Sequence, residues 1–170
     1  MKFFLVDRIL ELEPHRRIVA VKNLSLAEEY LADHFPAYPV LPGVLMVEAL
    51  VQAAAWLVRA STDFRKNLIL LKEAQNVRYG SFVKPGNQLV MEVTALEIGP
   101  DASRFKAVGQ TEGQVAVQAK LTLEHLNVAD ADPTGGAEID ALLRPFWKER
   151  FRLVGGPRAL AAGQAAGPGA

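Results

Sequence analysis

Pro42-Gly43-Val44-Leu45-Met46-Val47-Glu48-Ala49-Leu50-Val51-Gln52-Ala53-Ala54-Ala55-Trp56-Leu57-Val58 is the stretch on which the fold turns. Proline suits a first helical turn, where its missing N–H removes no hydrogen bond. The fifteen residues from Val44 to Val58 carry two polar side chains, Glu48 and Gln52, which are four apart and therefore share one helical face. A helix this apolar around its circumference must be surrounded by protein. The stretch is broken by those two polar residues and is shorter than the ~20 residues a membrane span requires. It reads as a buried helix, and no membrane span is expected.

Working outward, Pro36, Pro39 and Pro42 stiffen the loop from Asp33 to Gly43, because each disfavours the helical conformation in the residue before it. Before the loop, Arg16 to Leu24 reads as a strand around Ile18-Val19-Ala20-Val21, followed by a short helical turn from Leu26 to Leu31. After Asn67 the period changes to two: Gln88 to Glu97 and Gln114 to Leu123 alternate as half-buried antiparallel strands do. Lys84-Pro85-Gly86-Asn87, Gly99-Pro100-Asp101 and Glu112-Gly113 supply turns between them. The expected fold is α+β, a long central helix wrapped by a curled antiparallel β-sheet, with the domain proper at residues 1–127. Residues 128–170 read as a helical extension. Asp132 to Gly136 is a linker, 138–153 an amphipathic helix bent or started at Pro145, and the rest from Gly155 a flexible Gly/Ala/Pro tail. Ile139, Leu142, Leu143 and Phe146 trace the face expected to dock, most naturally on the outer face of the sheet.

With 170 residues, nineteen basic against nineteen acidic, the chain has no net charge and lacks the basic excess of a nucleic-acid-binding domain. The absence of Cys removes disulfides and thiolate chemistry and fits a reducing compartment. Charge appears at Asp7-Arg8, too early for a secretory signal, so a cytoplasmic location is expected. His15, His34 and His125 are far apart and show no metal-ligand spacing, so neither a metal nor a cofactor is expected; His15 and His125 read as surface residues.

Two ionisable groups sit where such groups are expensive: Glu48 inside the apolar helix and His34 in the proline loop. Glu48 either reaches solvent or a buried partner such as Gln52 or an Arg, or is kept for chemistry. His34 either bonds to backbone or acts as a base. Together a neutral imidazole and a carboxyl in apolar surroundings make a proton acceptor and a proton donor. The free N–H groups of Gly43 and Val44 at the helix start would stabilise an oxyanion.

His34-Phe35-Pro36, Pro39, Pro42-Gly43-Val44-Leu45, Glu48-Ala49 and Gln52-Ala53 resemble the signature of the FabZ-type 3-hydroxyacyl-acyl-carrier-protein dehydratases, a hotdog-fold family. The resemblance extends to Phe4-Leu5-Val6-Asp7-Arg8, Val21-Lys22-Asn23 and Phe82-Val83-Lys84-Pro85-Gly86-Asn87-Gln88-Leu89, about residues 3 to 126 in all. It implies dehydration of (3R)-3-hydroxyacyl thioesters on acyl carrier protein, with His34 as base, Glu48 as acid, Gly43 N–H at the thioester carbonyl and Gln52 orienting Glu48. It also implies substrate contacts from Val44, Phe35, Pro42, Tyr79 and Phe82, carrier docking at Arg78 and Lys84, and a homodimer or trimer of dimers whose sites combine His and Glu from opposite subunits. Asp33 and Ala37 stand where that family usually has Gly, which raises the question of the His loop's conformation. A hotdog acyl thioesterase and a non-catalytic acyl-binding subunit are the competing readings.

Overall fold

The computed structural model describes residues 3–35 and 37–165. Helix α1, Gly43–Ser61, is the axis of the molecule, and its Ala49, Leu50, Ala53, Ala54, Leu57 and Val58 are shut from solvent. At 19 residues and a mean hydropathy of 1.5, it is longer than the expected stretch and apolar enough to cross a bilayer. Its burial inside the protein, rather than its length, makes it a core helix. Six antiparallel strands curl around it: β1 Arg8–Glu13, β2 Arg17–Asn23, β3 Leu68–Tyr79, β4 Gln88–Ile98, β5 Ala102–Thr111 and β6 Gln114–Leu126. They are ordered β1-β2-β4-β5-β6-β3 across one sheet. Alternate residues such as Leu89, Met91 and Val93 of β4 and Phe105 and Ala107 of β5 point at α1, as the period of two requires.

The strand expected from Arg16 to Leu24 is β2, and it is preceded by β1, which the sequence reading did not contain. The helical turn expected over 26–31 is a single 3₁₀ turn at Glu29–Leu31.

Larger differences lie after residue 127. Residues Val128–Ala131 form a short helix, α2, capped by Asn127 and Asp130. Helix α3 runs from Gly136 to Leu153 straight through Pro145, neither starting nor stopping there. The tail expected to be flexible instead forms helix α4, Gly156–Ala165; residues 166–170 lie outside the described residues. Nor does α3 lie on the outer face of the sheet. Phe151 stacks against Trp56 of α1 (ring centroids 5.8 Å apart) and Phe64 (5.4 Å), and Trp147 meets Trp56 edge-on at 5.8 Å. Asp140 accepts the N–H groups of Val128 and Ala129 and the side-chain amide of Asn67, tying α2 and α3 to the body. Helix α4 covers the edge of β1, with Gly163 so close to the Leu12 carbonyl that a Cβ there would sit 2.3 Å from its oxygen. The N–H of Ile9 is taken by the Val154 carbonyl at 2.7 Å. Of the sheet's two edges, β3 is therefore the one left uncovered among the described residues, and its exposed residues include Leu70 and Leu71.

His125, expected at the surface, is 1% exposed, and burial lowers its pKa below the ordinary 6.5. For a base, a lowered folded-state pKa means that the unfolded chain binds more protons at acid pH, so stability is complete above about 6.5 and is lost as pH falls below it. The urea midpoint is expected to drop between pH 7.5 and pH 5, and His125→Gln to flatten that slope. An unchanged slope in the variant would mean that other groups carry it.

Candidate active site

Glu48 and Gln52 project from one face of α1 towards the N-terminal segment. Gln52 is clamped: its Nε2 donates to the Phe3 carbonyl (2.9 Å) and to Glu48 Oε1 (2.9 Å), while its Oε1 accepts the Leu5 N–H (2.8 Å). The clamp fixes the Glu48 carboxyl through one oxygen and leaves Oε2 without a protein partner among the described residues. Both side chains line a cavity of about 240 Å³ walled by Phe3, Val51, Ala55 and Ile69. A half-buried carboxyl, held by an amide at the edge of an apolar cavity, is placed to hand a proton to a group inside it.

One and a half turns earlier lies the helix N-terminus. Pro42 provides the first residue's cap position but no side-chain hydrogen bond, and the Pro42 carbonyl is engaged by Leu45 and Met46 N–H. The N–H groups of Gly43 and Val44 have no acceptor among the described residues, as the first turn of any helix requires unless something caps it. The Tyr79 ring lies so close to Gly43 that a Cβ there would meet its Cε1 at 2.9 Å. Any larger residue at this position would push the ring outward. Phe82 packs edge-on against Tyr38 at 6.2 Å, and Lys84 Nζ lies 5.1 Å from the Tyr38 ring centre. Tyr38, Val44, Tyr79 and Phe82 are all more than half exposed or nearly so, making an open aromatic rim around the helix start. Arg78 and Lys84, exposed on either side of this segment, have no carboxylate partner among the described residues.

His34 follows the 3₁₀ turn, its N–H donating to the Tyr30 carbonyl (3.2 Å) and its half-buried ring set edge-on against Phe35 at 4.6 Å. Phe35 carries the positive φ of this loop, 51°, where the Gly-to-Asp departure pointed to Asp33 instead. A bulky residue in the left-handed region is held there against its preference. Pro36 lies outside the described residues. Within one chain the expected residues thus form two groups: Glu48 with Gln52 in the cavity, and Gly43, Val44, Pro42, Tyr79 and Phe82 at the helix start. His34 and Phe35 line neither the cavity nor its mouth.

The cavity's opposite end is formed by residues that were not expected at the site: Arg59, Asn67, Trp147 and Arg150. Arg59 had a legible signal, since eleven residues beyond Glu48 is about three helical turns and returns to the same face. Among the described residues no three His, Asp or Glu side chains converge as a metal would need.

A long helix wrapped by this sheet is a hotdog fold, and solved structures agree. A chain of the dehydratase heterocomplex ApeI:P from Xenorhabdus doucetiae superposes with a TM-score of 0.61 at 18% identity, covering 73% of this chain and 84% of that one. The acetyl-CoA-bound protein smu.793 from Streptococcus mutans gives 0.56 at 13% identity, covering 74% and 92%. At the level of sequence, residues 1–125 match the FabA-like domain. The 3-hydroxyacyl-[acyl-carrier-protein] dehydratase FabZ of Burkholderia mallei is 43% identical over 132 residues, 76% of this chain and 84% of that protein. Its counterpart in Burkholderia thailandensis is equally similar over 82% of its length. The chain belongs to the FabA-like family.

Proposed function

We propose that this protein dehydrates (3R)-3-hydroxyacyl thioesters on acyl carrier protein to trans-2-enoyl thioesters, in fatty-acid-type synthesis. The observation that carries the reading is the Glu48 carboxyl, fixed by Gln52 at an apolar cavity beside an uncapped helix start, in a chain 43% identical to FabZ dehydratases. The His34 imidazole removes the C2 proton. Its electron pair moves toward the thioester carbonyl, whose oxygen gains negative charge and meets the N–H groups of Gly43 and Val44. Return of that charge forms the C2–C3 double bond and expels the 3-hydroxyl, which takes the proton on Glu48 and leaves as water.

His34 is not among the residues that line the cavity of its own chain, and in our reading a second copy supplies it. The open edge of β3, with Leu70 and Leu71 exposed, supports an assembly in which two such edges meet, since an unpaired edge strand is a template for pairing. A homodimer is then the smallest active unit, alone or within a trimer of dimers.

Mixing the protein with 3-hydroxybutyryl pantetheine and following both enoyl absorbance and free thiol tests the reaction. Enoyl absorbance without thiol release is expected. Thiol release would indicate a thioesterase, and neither signal an acyl-binding subunit.

Arg78 and Lys84 flank the aromatic rim with no carboxylate partner among the described residues, which supports a role in meeting an acidic carrier. Reversing both charges is expected to lower kcat/KM on carrier-bound substrate by about tenfold while a short pantetheine substrate is spared. An equal loss on both substrates would assign these residues another role.

A further inference from the structure

The polar side chains of α1 between its ends, Glu48, Gln52 and Arg59, lie on a single stripe, and the cavity of about 240 Å³ runs along it. Arg59 closes its far end. It is 5% exposed, with its guanidinium 3.9 Å from the Trp147 ring centre and 5.4 Å from that of Trp56. Its Nη2 donates to the Asn67 carbonyl at 3.2 Å, and its buried Nε has no partner among the described residues. No carboxylate lies within ion-pair reach of Arg59 among the described residues, nor of Arg150, which shares this end of the cavity and rests on the Phe4 ring at 3.7 Å. Burial without an anion is unfavourable for a guanidinium, and it pushes the pKa of Arg59 down to about 9. Two cationic side chains therefore face the cavity, and the one carboxyl lining it among the described residues, Glu48, lies about 16 Å from Arg59 along α1, measured between Cα positions. Trp147, Arg150 and Val154, which complete this end, come from the C-terminal extension, beyond the residues 1–125 that match the FabA-like domain.

We infer that the missing anion arrives with the substrate: the cavity takes acyl chains that end in a carboxylate, whose oxygens bond to Arg59 with Arg150 beside it. Arg presents a planar fork of donors that suits a carboxylate, and a desolvated end wall would leave it unpaired against a methyl terminus. The spacing from Glu48 to Arg59, shortened because the longer Arg side chain leaning towards the helix N-terminus reaches further back than that of Glu48, suits chains of roughly eight to ten carbons. The inference rests on the dehydratase reading, whose reactive end lies at Glu48.

Pairs of trans-2-enoyl pantetheine thioesters of eight and ten carbons, one ending in methyl and the other in carboxylate, test it in the hydration direction with the full chain at pH 7.5. The carboxylate-ended member is expected to have the higher kcat/KM by about tenfold. Calorimetry with the matching saturated acyl-pantetheine amides gives the same comparison without catalysis, and the carboxylate-ended amide is expected to bind more tightly. A methyl-ended chain that reacts or binds equally well or better would overturn the inference. Failure to hydrate even crotonyl pantetheine would instead overturn the dehydratase reading and leave calorimetry to decide the preference. Arg59→Met is expected to reverse the order of each pair, and a preserved order would overturn the role of Arg59. Should that variant fail to fold, the comparison on the unmodified protein decides alone.

Discussion

Replacing His34 by Ala, or Glu48 by Gln, is expected to lower dehydration by ~10²–10⁴-fold, the contribution of one positioned proton-transfer group. Glu48→Gln keeps the size of the side chain and the contact with Gln52, so the loss isolates the exchangeable proton. His34→Ala removes an imidazole whose ring touches Phe35 on a surface loop, and the core does not depend on it. Thermal midpoints close to the parent's are therefore expected beside the kinetic loss. Hydration of crotonyl pantetheine, the reverse reaction, measures both variants. Retention of more than about a tenth of the activity by either would contradict its assignment.

The second large effect concerns the extension. Phe151 is 6% exposed and wedged between Trp56, Phe64 and Gly156, where a Cβ would stand 2.2 Å from its ring. Phe151→Ala leaves a cavity at the joint between α3 and α1 and is expected to cost about 3–5 kcal/mol. In a chain of this size that lowers the melting temperature by about 10 °C. Truncation after Asn127 removes the whole cover and bares Trp56, Phe64 and the β1 edge, so a larger drop or self-association is expected. Melting curves and light scattering check both, and an unchanged midpoint and mass would mean that the extension adds nothing to the fold.

How much of this was legible depended on whether burial kept a simple period. Helix α1 was plain because it is apolar all round, and β4 and β6 because they alternate cleanly. Strand β1 was hidden: a bulge between Ile9 and Glu11 puts its buried residues, Ile9 and Leu12, three apart instead of two. Strand β3 carries two register shifts and exposes most of its residues, so no alternation survives in the sequence. In α3 the stripe of Ile139, Leu142, Leu143 and Phe146 suggested the docking face, yet only Leu143 of the four is half-buried and the others are exposed, Leu142 at 73%. Trp147 and Phe151, about a quarter turn round the helix, dock instead because they meet the aromatic rings of Trp56 and Phe64. Helix α4 was read as a tail from its Gly, Ala and Pro content, though small residues are what let it pack onto the β1 backbone.

Part of the cavity's lining was legible. Glu48 stands out as the one charge in the apolar stretch, and Gln52 by its spacing from it. Arg59 lies one residue past the apolar stretch that ends at Val58, so its place on the face of Glu48 shows only once the helix runs on to Ser61. That His34 stands away from the Glu48 cavity follows from the course of the loop, which no local pattern encodes.

The central claim is that one active site combines His34 of one copy with Glu48 of another. Co-expressing the His34→Ala and Glu48→Gln chains, each inactive alone, tests it directly by crotonyl pantetheine hydration. In a mixed dimer one site has lost both groups and the other retains both, so random pairing should restore about a quarter of the parent activity. A mixture as inactive as its two components would show that both groups act from the same chain, and would contradict the account.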